Sequence, residues 1–162
     1  MSDKSKFPLL LVVCTGNVCR SPMAEALFSY QIMKRGLGAN VISRGLAAPV
    51  GRPPHQYVVE IARKHGVYID PEKRAEAISS AEIATSTVVF VMDSMHRREV
   101  QRRFPTAAGK TFLLGQWQGE EIADPINQPI EAFERAWTQC FNGVNEWVSK
   151  LCESGLLRAA IS

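Results

Sequence analysis

The stretch LLLVVCTGNVCRSPMAEALF, Leu9 to Phe28, joins a continuous apolar run to a helix-like run through a short turn that carries two cysteines and an arginine. An apolar run of strand length, rich in β-branched residues, suits a strand buried on both faces, as in parallel sheets. The strand is predicted over Phe7 to Val13. Cys14 then starts the turn, Gly16 relieves it, and Ser21-Pro22 reads as an N-cap followed by proline at the first helical position. Such a turn gathers unpaired backbone N–H groups and about half a unit of positive charge at the helix start, which favours a bound anion. It also lies at the carboxyl end of a central strand, where open α/β sheets bind ligands. Arg20 adds a planar fork able to hold two oxygens of a phosphate.

Outward from this stretch, strand-like and helix-like segments alternate. TVVFVM, Thr87 to Met92, is a second run suited to a central parallel strand, and Val41 to Ser43 and Thr111 to Leu114 are shorter strand candidates. Helices are predicted over Pro22 to Arg35, Pro54 to His65 and Ser94 to Arg103, with a long one at the C-terminal side. In the last, Ile130, Phe133, Trp137, Cys140, Phe141, Val144, Trp147, Val148 and Leu151 recur at three- and four-residue steps and form one apolar stripe to pack on the sheet. The alternation predicts an α/β fold with crossovers. No repeat or long linker divides the sequence, so residues 1–162 are expected to form a single domain.

A hydrophobic content of 46% supports a real core, and a net charge of +3 falls short of the dense basic character of a dedicated nucleic-acid binder. The basic segment HRREVQRRF reads as a solvated helix face. No nucleic-acid partner is expected. No window approaches the roughly 20 apolar residues of a membrane span and no signal-peptide pattern is seen, so no membrane association and a cytoplasmic location are expected. Cys14, Cys19, Cys140 and Cys152 are too few and too unevenly spaced for a disulfide scaffold, leaving reduced thiols as the default. His55, His65 and His96 make no ligand pattern with carboxylates or cysteines, so neither a metal nor a cofactor is expected.

Cys14 supplies the turn with a nucleophile. The groups that would bind phosphate also stabilise a thiolate, and such settings lower cysteine pKa values to about 3.5 to 7.5. The run Cys14-Thr-Gly-Asn-Val-Cys-Arg-Ser-Pro22 resembles the phosphate-binding loop of the low-molecular-weight protein tyrosine phosphatases, of bacterial type. The likeness continues through Met23, Ala24 and Glu25, then Ser43, Met92-Asp93 and Asp124-Pro125, and so covers nearly the whole chain.

The resemblance implies a three-layer α/β/α domain on a four-stranded parallel sheet, and metal-free hydrolysis of phosphomonoesters through a phosphocysteine on Cys14. Arg20 and the loop residues Thr15, Gly16, Asn17, Val18, Cys19 and Ser21 would hold phosphate, with inorganic phosphate as product. Asp124 is selected over Asp70, the other Asp-Pro aspartate, as general acid and then base. A turn-starting, helix-capping aspartate is the competing reading of Asp124. Ser21 would donate a hydrogen bond to the sulfur. Asn17 would brace the loop in a left-handed conformation with Ser43 as partner, and Cys14 with Cys19 would form a reversible redox pair. Cys140, in the stripe, reads as buried and inert. The implied partners are phosphotyrosine proteins, among them a bacterial tyrosine kinase.

Family members that prefer phosphotyrosine place aromatic residues after the Asp-Pro and in the loop after the second strand. Here Ile126-Asn127 and Leu46-Ala47-Ala48 hold those places. Arg44 is a candidate for recruiting an acidic substrate at the cleft mouth. Two other readings use the same loop. An arsenate reductase needs a relay of further cysteines, and none lies between Cys19 and Cys140. A non-catalytic phosphate-binding module would not need the nucleophile and acid.

Overall fold

The structure, a computed structural model, describes residues 6–161. Four parallel strands, β1 (Leu9–Cys14), β2 (Asn40–Gly45), β3 (Val88–Val91) and β4 (Thr111–Leu113), form one sheet in the order β2-β1-β3-β4. Five α-helices accompany them: α1 (Arg20–Lys34), α2 (Gln56–Lys64), α3 (Ser80–Thr85), α4 (Ser94–Arg103) and α5 (Ile130–Glu153). The two long apolar runs are the central strands, as expected.

Alternation along those strands feeds two cores. Leu10, Val12 and Cys14 of β1, with Val88 and Phe90 of β3, enter the larger core shared with α1, α2 and α5. Leu11 and Val13, with Val89 and Val91, enter the smaller core on the opposite face, beneath α3 and α4. Successive side chains of a strand point to opposite faces, so only an unbroken apolar run satisfies both. In the larger core Phe28 stacks on Phe90 with centroids 5.0 Å apart, and Phe90 meets Trp147 edge-on at 5.0 Å. These rings fix α1, β3 and α5 against one another.

The C-terminal stripe holds, except that Phe141 lies 40% exposed, outside the stripe formed by Phe133, Trp137, Cys140, Val144, Trp147, Val148 and Leu151. The helix α3 was not predicted. Its six residues are too few to show a period, and it depends on a capping box between Ser79 and Glu82 and on Lys110, whose ammonium donates to the carbonyls of Ile83 and Ser86.

The strand order places a topological switch between β1 and β3: from β1 the chain crosses to β2 on one side, then returns to β3 on the other. The loops leaving the carboxyl ends of β1 and β3 diverge there and open a crevice.

Candidate active site

The loop 14–20 leaves β1 and enters α1 at that switch. Asn17 is left-handed, at φ 56°, as the resemblance implied, but two local readings are corrected. Gly16 has no positive φ and a Cβ there would meet only ordinary contacts, 3.5 Å from Val18, so it does not relieve the turn. The helix begins at Arg20, with Cys19 at the N-cap position and no side-chain cap. Ser21 is therefore not the cap, and Pro22 sits in the first turn where its missing N–H costs nothing.

The hydroxyl of Ser21 is engaged elsewhere. Its Oγ lies 3.0 Å from Cys14 Sγ and accepts a hydrogen bond of 2.9 Å from Asn17 Nδ2. The same amide nitrogen donates to Ser43 Oγ at 2.9 Å, and Asn17 Oδ1 accepts from the backbone N–H of Glu76 at 2.9 Å. The Glu76 N–H requires an acceptor, which fixes the amide's orientation. Both amide hydrogens then face the serines. A thiolate at Cys14 can only accept, so toward it the Ser21 hydroxyl turns its hydrogen to sulfur. The backbone N–H of Asn17 also donates to Cys14 Sγ, at 3.2 Å. Asn17, Ser21 and Ser43 are all buried, so each bond is made where water cannot replace it. Gly45 of β2 permits this closeness, since a Cβ would stand 2.7 Å from the carbonyl oxygen of Thr15.

Arg20 is buried in the first turn of α1, and its guanidinium is held from two directions. Nη1 donates to the carbonyl of Ile122 at 2.9 Å and lies 3.4 Å from Asp93, while Nη2 lies 3.5 Å from Asp124. Asp93 also caps α4, its Oδ1 accepting from the His96 N–H at 2.8 Å. Asp124 Oδ1 accepts from the Ile126 N–H at 3.1 Å, which builds the turn. The turn reading of Asp124 is thus correct, but Asp124 does not cap α5: Pro129 holds the N-cap position, with no side-chain cap bond. Both aspartates flank the arginine that the turn was predicted to offer phosphate.

Asp93 and His96 are participants whose roles residue reasoning missed. The sequence did carry a signal: an aspartate directly after a central strand, three residues before a histidine on the following helix. Buried His96 accepts at Nδ1 from the Met92 N–H, 3.4 Å away, so Nε2 carries its proton and donates to Thr15 Oγ1 at 2.9 Å. Burial, then the Arg20 charge, hold its pKa below the usual histidine value.

Cys14, Thr15, Gly16, Val18, Cys19, Arg20 and Asp124 line one cleft of about 220 Å³, with Pro49, Arg52 and Ile126 as further walls. No aromatic side chain is among them. Asn17 and Ser21 stand behind the loop rather than in the cleft. Cys19 is free and buried, its thiol pushed up to about 12 by burial, then by the charges of Asp124 and Cys14. Cys140 is fully buried with its Sγ 4.0 Å from the Arg20 carbonyl, and burial pushes its thiol to about 12 as well. Arg44 does not face the mouth: it pairs with Glu82 at 2.7 Å and Glu76 at 3.1 Å. Those glutamates claim its side chain, so the expectation that it recruits an acidic substrate at the mouth is corrected. Among the described residues, no group of three His, Cys, Asp or Glu side chains is placed to hold a metal ion, and no helix is long and apolar enough to cross a membrane.

The model of the low molecular weight phosphotyrosine protein phosphatase family matches residues 9–156. A low molecular weight protein-tyrosine-phosphatase of Escherichia coli K12 is 36% identical over 148 residues, covering 90% of this chain and 96% of the relative. Among solved structures, a Vibrio vulnificus protein in complex with benzylphosphonate superposes with TM-score 0.83 at 32% identity, covering 90% of this chain and 99% of the other. An arginine phosphatase from Geobacillus stearothermophilus gives the same TM-score of 0.83 at 32% identity, covering 92% and 96%.

Proposed function

The chain belongs to the low molecular weight phosphotyrosine protein phosphatase family, and we propose that it hydrolyses phosphotyrosine in proteins through a phosphocysteine on Cys14. One observation carries the reading: Cys14 Sγ, with donors from Ser21 and Asn17 at 3.0 and 3.2 Å, shares a cleft with Arg20 and Asp124. The sulfur attacks phosphorus in line with the leaving oxygen. Arg20 and the loop N–H groups of Thr15, Gly16, Asn17, Val18 and Cys19 hold the equatorial oxygens as charge shifts. Asp124 gives its proton to the leaving phenoxide, and its carboxylate then takes one from the water that releases inorganic phosphate. No step needs a metal. Acid quench of a single turnover, followed by mass spectrometry, should find phosphate on Cys14 in Asp124→Ala and none in Cys14→Ser. Turnover of an aryl phosphate by Cys14→Ser would overturn the mechanism.

The aliphatic cleft walls Val18, Pro49 and Ile126 give a second substrate reading, since a relative of comparable similarity is an arginine phosphatase. Matched peptides bearing phosphotyrosine or phosphoarginine decide between them by their kcat/KM.

The further assignments belong to this reading. Residues 1–162 act as one catalytic domain, supported by the two cores that share one sheet. The location is the cytoplasm, and a tyrosine kinase is among the substrates. Peroxide oxidises Cys14 to a sulfenic acid, and the Cys19 thiol displaces water from it to close a disulfide that thiol reductant reopens. Activity lost to peroxide should return with reductant in the wild type and stay lost in Cys19→Ser.

A further inference from the structure

The phosphate cleft lies between two grooves of opposite charge. One, of about 600 Å³, runs between α4 and the loop after β2, and it shares Thr15 with the cleft. The other, of about 770 Å³, follows the Asp124 loop and α5, and it shares Asp124 with the cleft.

The α4 groove has an apolar floor. Leu46 and Ala47 lie on one side and Met95, 70% exposed, on the other. Its rim carries Arg98, Arg102 and Arg103 against the single Glu99. Arg103 is held in place, donating from Nη1 to the Leu46 carbonyl at 2.8 Å, and Arg102 bonds Glu99 at 2.6 Å. Arg98 is exposed beside them. The α5 groove has the reverse balance: Glu121, Glu131 and Glu134, with Asp124, stand against Arg135. A chain laid across the cleft therefore meets positive potential on one side of its phosphorylated residue and negative potential on the other.

We propose that the α4 groove receives an acidic stretch of the phosphoprotein adjacent to the phosphorylated residue, an apolar side chain of that stretch resting on Met95 and Leu46. The inference rests on the phosphatase reading and names the substrate class that the reading leaves open. Charge complementarity selects the occupant, because carboxylates beside the phosphate gain from the arginine rim and are repelled along α5. The arrangement also sets the direction in which the substrate chain crosses the cleft. It gives the basic face of α4 a task beyond solvation.

The test uses the full chain carrying Cys14→Ser and fluorescence anisotropy with three phosphotyrosine peptides: acidic before and basic after the phosphoresidue, the reverse order, and neutral flanks. One charged order should bind about tenfold more tightly than the other, a difference that about 0.5 M salt erases. Adding Arg98→Glu should abolish the preference, and Met95→Ser should weaken the favoured peptide about threefold. In the chain with Cys14 intact, Arg98→Glu should leave hydrolysis of a small aryl phosphate within about twofold. Equal binding of the three peptides, a preference that survives Arg98→Glu, or tighter binding of a single-stranded oligonucleotide than of the acidic peptide would each overturn the proposal. A wild type inert toward aryl phosphate would sink the phosphatase reading instead, and the binding measurements would still report on the groove.

Discussion

A single serine separates loop architecture from chemistry. Ser21 neither caps α1 nor lines the cleft, yet its hydroxyl is the only side-chain hydroxyl or amide bonded to the Cys14 sulfur among the described residues. Hydrogen bonds to a charged group contribute about 1.5 to 3 kcal/mol, so Ser21→Ala should lower kcat roughly 10- to 100-fold. The loss should fall on hydrolysis of the phosphocysteine, where sulfur leaves, and appear as a pre-steady-state burst of alcohol product followed by a steady rate slower than the wild type's. His96 offers a test by pH. Its folded pKa is held below the ordinary 6.5 by burial, then by Arg20, with Asp93 and Asp124 opposing. The unfolded chain therefore takes up that proton at higher pH than the fold does. Stability from a neutral His96 is complete above about 6.5 and drains away as the pH falls below it. Urea midpoints of the wild type should drop between pH 7.5 and 5.5 by more than those of His96→Asn.

Among the elements, α5 shows how a residue poor for helix can be required by packing. Gly143 lies inside the helix, where glycine costs about 1 kcal/mol relative to alanine. A Cβ there would stand 2.6 Å from the Leu114 carbonyl oxygen and 3.1 Å from Leu114 Cγ, because the helix lies directly on the end of β4. Gly143→Ala should therefore destabilise the protein despite its better propensity, by about 1 to 3 kcal/mol. Calorimetry should record a fall of roughly 3 to 10 °C in Tm. A rise in Tm would show that α5 can lift from β4 at no cost. The short α3 makes the complementary case. Its caps and Lys110 hold six residues that propensity alone leaves as coil.

At the scale of the whole molecule, the loops leaving β1 and β2 and the turn before α5 line one cleft whose Arg20 is held from the segments after β3 and β4, so an anion bound there should be felt by the whole fold. A ligand at about 100 times its Kd adds about 2.7 kcal/mol to stability. Inorganic phosphate at that excess should raise Tm by about 5 to 10 °C in the wild type. Arg20→Ala should show no such rise, since its guanidinium is the buried cation of the cleft.

The sequence by itself determined the fold class, the two central strands and the place of the loop that carries Cys14 and Arg20, since these depend on near neighbours: an unbroken apolar run, a cysteine and an arginine six residues apart. It also named Asn17 and Ser43 through the family resemblance, though they lie 26 residues apart. The edges were blurred. β2 and β4 are short, α3 shows no period, and the start of α1 hid behind Ser21-Pro22, where local capping chemistry lost to the demand of Cys14 for a donor. Tertiary structure alone decided the rest. Asp70 and Asp124 precede prolines and build the same kind of turn, accepting from Glu72 and Ile126 two residues on. Only the second lies 3.5 Å from Arg20. Arg44 and Arg98 are equally basic as letters, yet one is claimed by two glutamates and the other lies exposed beside the cleft. Those differences follow from which strands the crossovers set side by side, a property of long-range packing that no local pattern records.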